Sequence, residues 1–490
     1  MRCRYPDSSS VDATPEVRHR MPEPGRQNPD DRTRCMKLTV TGTGYLGATH
    51  AACMAALGHD VLGVDTDPGT VDLLNTGHAP FREPGLDDLL VQGLATGRLR
   101  FTTDPGAAAR HGRVHFITVG TPQRDGGTAL DTGAVDAAVD VLAEHIAAAV
   151  PAGGPSHLLI GRSTVPVGTA GRLRSRLRDR YGDLLQVSWC PEFLREGHAV
   201  ADSFRPDRIV LGVETPGSDA ADRIAAQVRE ICADALGAGV PLIVTDFPTA
   251  ELVKVAANAF LATKISFINA VGDVCEAAGA DVTVLAAALG MDPRIGAAGL
   301  GAGLGYGGGC LPKDVRGFAA RAGDLGVDRL ADLLGTVDAV NTGRRDRIVG
   351  MAETALDGAP AGRRVTVLGA AFKPGSDDVR ESPALAVAAA LDRRGARVTV
   401  CDPVATGPVR RVHPGLRCEP VPEEALRGAE LVVVATDWPE FTTLDPVAAA
   451  ALVAGAVVID GRNCLPAAAW RAAGWDYRAP GVGVNPASTA

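Results

Sequence analysis

The run Gly42-Thr43-Gly44-Tyr45-Leu46-Gly47 constrains this chain more than any other feature, because of what stands on either side of it. Lys37 to Thr41 ahead of it reads as a strand, Ala48 to Leu57 behind it as a helix, and Asp60 to Val64 as a second strand ending at Asp65. Strand, glycine turn, helix and strand in that order make a βαβ unit, the context in which Gly-x-Gly-x-x-Gly binds a dinucleotide. The first glycines permit a tight turn and let a pyrophosphate approach the helix N-terminus, where free N–H groups favour anions. Asp65 would accept hydrogen bonds from the adenosine ribose hydroxyls and repel a 2′-phosphate, so NAD rather than NADP is the predicted cofactor.

The alternation continues. His115 to Val119, Leu158 to Arg162 and Ile209 to Val213 are rich in branched residues and followed by small or polar turns, which predicts a mostly parallel sheet. From Thr249 to Ala278 Gly272 is the only glycine or proline, and the run predicts one long helix able to link domains. A second series of strands, Val365 to Leu368, Arg397 to Cys401, Leu431 to Ala435 and Val457 to Ile459, is separated by alanine-rich helices. Gly369-Ala370-Ala371-Phe372-Lys373-Pro374-Gly375 stands there in place of a complete fingerprint, so a different ligand is expected. The predicted class is α/β, with two Rossmann-like doubly wound sheets joined by a central helical domain. The expected boundaries are 36–245 for the NAD-binding domain, 246–345 for the helical domain and 346–490 for the second Rossmann-like domain. Residues 1–35, rich in Pro, Arg, Asp and Ser, read as a disordered extension without the apolar segment of a signal peptide.

Between the two sheets lies Tyr306-Gly307-Gly308-Gly309-Cys310-Leu311-Pro312-Lys313-Asp314, a thiol, an ammonium and a carboxylate beside a glycine-rich loop. Pro312 suits the first turn of a helix running through Phe318, which would put Cys310 at its N-terminus. The helix dipole and Lys313 would there favour the thiolate, the form that attacks a carbonyl carbon. Cys310 and Asp314, four residues apart, would lie on one side. In isolation, a Gly-Gly-Cys run is also a tight turn closed by a buried cysteine.

Composition excludes several functions. A formal charge of −9 and a pI near 5.6 argue against a nucleic-acid surface while leaving room for a local basic pocket. The ten cysteines include no Cys-x-x-Cys pair, so neither a zinc site nor a disulfide framework is expected, and a reducing cytoplasm fits best. His111 and His115 have a metal-like spacing, but they fall at the entry to a strand, where residues four apart do not share a helical face; no metal is predicted. No stretch holds 18 consecutive apolar residues, so no membrane span is expected.

Read together, Gly42 to Gly47, Val119-Gly120-Thr121-Pro122, Ser163-Thr164-Val165-Pro166-Val167-Gly168, Pro191-Glu192-Phe193-Leu194-Arg195-Glu196-Gly197, Lys254-Val255-Ala256-Ala257-Asn258, the Cys310 loop, and Phe372-Lys373-Pro374 with Arg380-Glu381-Ser382-Pro383 resemble, in that order, the motifs of the UDP-glucose/GDP-mannose dehydrogenase family. The resemblance covers roughly residues 36 to 480. It implies oxidation of a primary alcohol of a sugar nucleotide to a carboxylate, with two hydrides passing in turn to two NAD molecules. By the same resemblance Cys310 would be the nucleophile that forms a thiohemiacetal and then a thioester. Lys254 and Asn258 would face the developing oxyanion. Asp314 and Thr164 would hold a water near the reacting carbon, with Asp314 a base for the first oxidation, and Glu192 would assist thioester hydrolysis.

For the cofactor the resemblance points to Gly42, Gly44, Tyr45, Leu46, Gly47, Asp65, Thr70, Thr121 and Thr164, with Glu196 on the nicotinamide side and Lys313 and Arg380 supplying charge. For the substrate it points to Phe193, Leu194, Arg195 and Glu196, to Lys254 and Asn258, to the loop Gly299-Leu300-Gly301-Ala302-Gly303, to Gly307 and to Lys373. The expected partners are UDP-glucose or a related sugar nucleotide and a second copy of the chain, joined through the long helix. Departures are Arg162 where lysine is common, Leu46 for valine, Thr70 for a lysine near the adenosine end, and Leu311 for phenylalanine after the nucleophile. Leu311 also occurs in the GDP-mannose branch, whereas Pro206-Asp207-Arg208-Ile209-Val210 looks more like the UDP-glucose branch.

Overall fold

The computed structural model describes residues 35–151 and 153–483, and the expected extension lies outside them except for Cys35. Two sheets organise the chain. The first contains β1 (Lys37–Thr41), β2 (Asp60–Val64), β3 (Leu99–Thr102), β4 (Val114–Ile117), β5 (His157–Gly161), β6 (Leu185–Trp189), β7 (Ile209–Val213) and β8 (Leu242–Asp246), in the order β3-β2-β1-β4-β5-β6-β7-β8. All its pairs are parallel except β6 and β7, which meet antiparallel at Trp189 and Gly212. The second contains β9 (Arg364–Leu368), β10 (Arg397–Cys401), β11 (Arg417–Glu419), β12 (Leu431–Val434), β13 (Val457–Asp460) and β14 (Asp476–Arg478), in the order β11-β10-β9-β12-β13-β14. In each sheet the order reverses beside the first strand, β1 next to β4 and β9 next to β12, which opens a crevice at the carboxyl ends of the strands.

Strands such as β4, β7 and β12 are buried along their whole length, which is why they read as unbroken runs of branched residues. The second sheet has strands in the places expected for them. β11 and β14 escape a sequence pattern because each is three residues long and lies at an edge.

The long helix runs Phe247–Ala278, beginning two residues before the expected Thr249 because Asp246 caps it: the side chain accepts from Thr249 N at 2.7 Å, and Gly279, with φ 71°, ends it. Leu311–Asp324 and Asp328–Ala355 pack against it to form the central layer. The long helix is the one helix among the described residues long and apolar enough to cross a bilayer, yet Lys254, Asn258, Ser266 and Asn269 along it are buried against the rest of the protein, as in a core helix.

Candidate active site

The cofactor end follows from local geometry. Gly42 adopts φ 90°, and a Cβ on Gly47 would stand 1.8 Å from Gly42 O, so the turn tolerates no side chain at either position. A Cβ on Gly44 or Gly120 would meet nothing within 4 Å, which leaves open space beside the helix N-terminus and the end of β4. Asp65, just past β2, accepts from Thr43 N at 2.6 Å and Thr43 Oγ1 at 3.0 Å through Oδ2, and from Asp67 N at 3.1 Å through Oδ1. Oδ2 is filled by its two donors, whereas Oδ1 retains accepting capacity for a ribose hydroxyl. Thr121 Oγ1 donates to Thr164 O at 2.6 Å and ties together the turns that follow β4 and β5. These features fit a dinucleotide laid across the carboxyl ends of β1, β4 and β5. Thr70 is placed differently: its hydroxyl donates to Asp67 Oδ2 at 2.6 Å as part of a helix cap, a local competitor for any adenosine contact.

The thiol stands where the proline predicts. Cys310 is the N-cap of Leu311–Asp324, and its carbonyl accepts from Asp314 N at 2.9 Å. The chemistry expected of that position is reversed, however. Cys310 keeps some accessible surface yet lies deep among protein atoms, and burial first, then the Glu192 and Asp314 carboxylates, push its pKa up to about 12 against the pull of Lys254. Lys313 does not serve the thiol; its ammonium pairs with Asp314 Oδ1 at 2.6 Å, and Asp314 Oδ2 accepts from Asn258 Nδ2 at 2.6 Å.

Lys254 Nζ lies 2.9 Å from Glu192 Oε1, with side-chain exposures of 5% and 11%. Burial opposes its charge, but Glu192 above all, with Asp314, outweighs that and holds the ammonium above its ordinary pKa. The structure therefore gathers Glu192, Lys254, Asn258, Cys310 and Asp314 from three separate segments into one buried charge cluster.

The loop after β6 is braced from several sides. Glu192 Oε2 accepts from Leu194 N at 2.5 Å, and the Phe193 ring lies beneath Arg208 at 3.9 Å, with Lys254 Nζ 5.6 Å from its centroid. Arg195 turns away: its backbone N–H, Nε and Nη2 all donate to Asp202. The N–H groups of Leu194 and Arg195 are thus engaged within the protein, and the Arg195 carbonyl accepts from His198 N at 2.8 Å.

Glu196 faces the second sheet rather than the fingerprint, with Ser376 Oγ at 3.4 Å and Arg380 Nη2 at 3.5 Å. Burial and then Asp378 raise its pKa to about 7, opposed by Arg380 and Lys373. Arg380 is gripped by Asp378 through Nε at 3.0 Å and Nη2 at 2.7 Å. Lys373 lies beside the Phe372 ring, and burial lowers its pKa although Glu196 opposes this.

Gly307, expected to admit a ligand, instead admits protein: a Cβ there would stand 2.4 Å from Glu381 O. Gly308 and Gly309 press likewise on the Phe372 ring and the Arg380 guanidinium. The triple glycine is the surface on which the C-terminal domain meets the Cys310 loop.

The Gly299–Gly303 loop is held between the helices and the second sheet. Gly303 N donates to Asn269 Oδ1 at 2.8 Å, Arg344 Nε donates to Gly303 O at 3.1 Å, and Asn463 Nδ2 donates to Ala302 O at 3.0 Å. Leu300 and Ala302 are buried, whereas Gly301 faces solvent. Asn269, Arg344 and, at the next turn, Asn341, whose Oδ1 accepts from Tyr306 N at 2.8 Å, carry no pattern that a sequence reading can isolate. As for the two histidines with metal-like spacing, His111 Nε2 lies 3.0 Å from Asp60 O, and His115 lies between Thr39 Oγ1 and His157.

A dinucleotide fingerprint on one sheet, a second Rossmann-type sheet and a half-buried cysteine in the helical layer between them define a nucleotide-binding oxidoreductase. Three family descriptions match along the chain: the NAD binding domain of the UDP-glucose/GDP-mannose dehydrogenase family over residues 36–231, its central domain over 248–343 and its UDP binding domain over 366–467. The chain belongs to the UDP-glucose/GDP-mannose dehydrogenase family and is an NAD-dependent dehydrogenase. It is 42% identical to a UDP-glucose 6-dehydrogenase of Rhizobium meliloti over 84% of this chain and 91% of that one, and 41% identical to one of Haloferax volcanii over 90% and 99%. Among solved structures it resembles a UDP-glucose dehydrogenase of Pyrobaculum islandicum, with a TM-score of 0.81 and 38% identity over 92% of this chain and 98% of that one.

Proposed function

We propose that this protein oxidises UDP-glucose to UDP-glucuronate in two successive two-electron steps, through covalent intermediates on Cys310. The observation that carries this reading is the cluster itself: a thiol at a helix N-terminus within the fields of Lys254, Glu192 and Asp314. The named activity of relatives that align over nine-tenths of the chain supports the choice of sugar.

NAD, when bound, supplies the acceptor for both hydrides. The Gly42–Gly47 turn with Tyr45 and Leu46, Asp65, Thr121 and Thr164 would hold it. In the first oxidation Asp314 takes the proton of the C6 hydroxyl through a water held with Thr164. The Cys310 sulfur then adds to the aldehyde carbon: a C–S bond forms, the thiol proton passes to a base of the cluster, and the carbonyl oxygen becomes an oxyanion. Lys254 and Asn258 offset its charge. Adding the thiol also returns the carbon to a tetrahedral state that can release a second hydride, which an aldehyde cannot do by itself. The thioester left behind is cleaved by water, whose proton Glu192 takes, and C–S scission restores the thiol and leaves the carboxylate.

In this reading the 36–245 segment carries NAD, while the Pro191–Gly197 loop, the Gly299–Gly303 loop and Lys373 enclose the sugar nucleotide. A reducing cytoplasm suits a free nucleophilic thiol, and the nine cysteines among the described residues are all unpaired. Two copies would associate through the long helix, where Phe260, Phe267 and Val274, spaced seven apart, are 67%, 56% and 65% exposed.

NADH yield on limiting UDP-glucose tests the reading, with GDP-mannose and UDP-N-acetylmannosamine run in parallel. About two NADH per UDP-glucose is expected. A yield of about one would place the end point at the aldehyde, a preference for another sugar would move the substrate, and no turnover of any would leave a binding protein.

A further inference from the structure

The segment Phe81-Arg82-Glu83 belongs to none of the motifs above, yet it touches the fingerprint helix, the loop after β6 and the second sheet. Glu83 is 7% exposed. Its Oε1 accepts from Ala199 N at 2.7 Å and Val200 N at 3.4 Å, and its Oε2 from Gly197 N at 2.7 Å and from the Tyr45 hydroxyl. The Tyr45 hydroxyl also lies 3.1 Å from Gly197 N, and its ring packs on Phe81 with centroids 4.7 Å apart. Arg82 N donates to Asp377 Oδ1 at 3.0 Å, next to the Asp378 that grips Arg380. Gly197 itself, at φ 78°, would place a Cβ 3.2 Å from Gly375 O.

A buried carboxylate is tolerated only with a full set of donors, and here those donors come from two separate functional segments. Tyr45 opens the fingerprint helix, whereas Gly197 to Val200 directly follow the loop that carries Glu192 and Glu196. Neither segment can shift without losing a bond to the same two oxygens.

We propose that Glu83 is a positioning residue that couples the two ligand sites, setting the loop of Glu192 and Glu196 relative to the head of the fingerprint helix. The assignment of that loop to the sugar nucleotide rests on the reading under Proposed function. The physical claim, that one carboxylate holds both segments, does not.

Glu83→Gln preserves shape but turns one acceptor oxygen into an NH₂ donor facing N–H groups, and Tyr45→Phe removes a single arm. Amide hydrogen exchange of the ligand-free protein is expected to quicken by about tenfold or more at Gly197 and Ala199 in Glu83→Gln. In Tyr45→Phe it should quicken at Gly197 and not at Ala199, which bonds to the other oxygen. By calorimetry, the factor by which NADH, which cannot accept a hydride, changes UDP-glucose affinity should move toward one in both variants, and the double variant should be no worse than Glu83→Gln. The kcat of Glu83→Gln should drop about 10²-fold.

Wild-type exchange at Gly197 in both variants, or an unchanged coupling factor, would overturn the proposal. Should Glu83→Gln not fold, the exchange pattern and coupling factor of Tyr45→Phe decide alone. A wild-type protein that does not bind UDP-glucose would refute the substrate reading, while the exchange data still decide whether Glu83 holds the loop.

Discussion

The buried ammonium of Lys254 and the carboxylate of Glu192 are joined at 2.9 Å and both act on the Cys310 thiol, so neither can be altered without changing the charge that the sulfur experiences. Glu192→Gln removes the base proposed for water attack and leaves the cation short of a partner. We expect kcat to fall by about 10²- to 10⁴-fold, with a burst of NADH and a sugar-nucleotide adduct on Cys310 in the intact-protein mass. A full loss of rate with no adduct would take Glu192 out of the hydrolysis step.

Cys310→Ser should abolish complete turnover and leave NAD binding unchanged, because the fingerprint lies in a separate segment. Titration with NAD and NADH production on UDP-glucose check the two halves. Full NADH production by the variant would end the thioester mechanism.

The Cys310 thiol, pushed up to about 12 in the free protein, is mostly protonated at neutral pH. Its alkylation by iodoacetamide, followed at that residue by mass spectrometry, should be slow and still climbing through pH 10, where an ordinary thiol of pKa about 8.5 has levelled off. Lys254→Met deletes the cation that most lowers the thiol, so its alkylation should be slower still. A rate level from pH 7 upward would mean that the thiolate already exists in the free protein.

Asp65→Ala leaves Thr43 N–H and its hydroxyl without their acceptor and removes the carboxylate proposed to hold the ribose. NAD binding should weaken by about tenfold or more and discrimination against NADP should shrink. An unchanged NAD to NADP preference would move the adenosine site elsewhere.

Within the first sheet His115 Nδ1 lies 2.7 Å from Thr39 Oγ1 and its Nε2 lies 2.9 Å from His157 Nδ1. Burial first, and then His157 and His111, lower the pKa of His115 to about 3, so the folded protein binds fewer protons than the unfolded chain below pH 6.5. This contribution to stability is complete above the unfolded value of about 6.5 and is lost as pH falls toward 3, by up to about 1.4 kcal/mol per pH unit for each such histidine. Urea midpoints between pH 7 and pH 4.5 should fall, and His115→Gln should flatten that fall. Equal slopes for both proteins would show that other groups govern acid unfolding.

What the sequence alone determined is local. A turn needing φ 90° at Gly42, a neighbour at Gly47 with no room for a Cβ, and Pro312 in the first turn after Cys310 are encoded within a few residues, so the βαβ unit and the helix start were legible without coordinates. The long helix was legible from its lack of breakers, apart from its first two residues, which depend on the Asp246 cap.

The tertiary structure decided the rest. The state of the Cys310 thiol depends on burial and on Glu192 and Lys254, and the pairing of Lys313 with Asp314 withdraws the cation that the sequence placed nearest it. The triple glycine proved to be the landing for Phe372, Arg380 and Glu381, and Glu83 acquired four donors from two distant segments. Desolvation and Coulomb interactions act through space and depend on every group packed nearby, so they come into being only when the chain has folded, whereas backbone dihedral preference is written residue by residue.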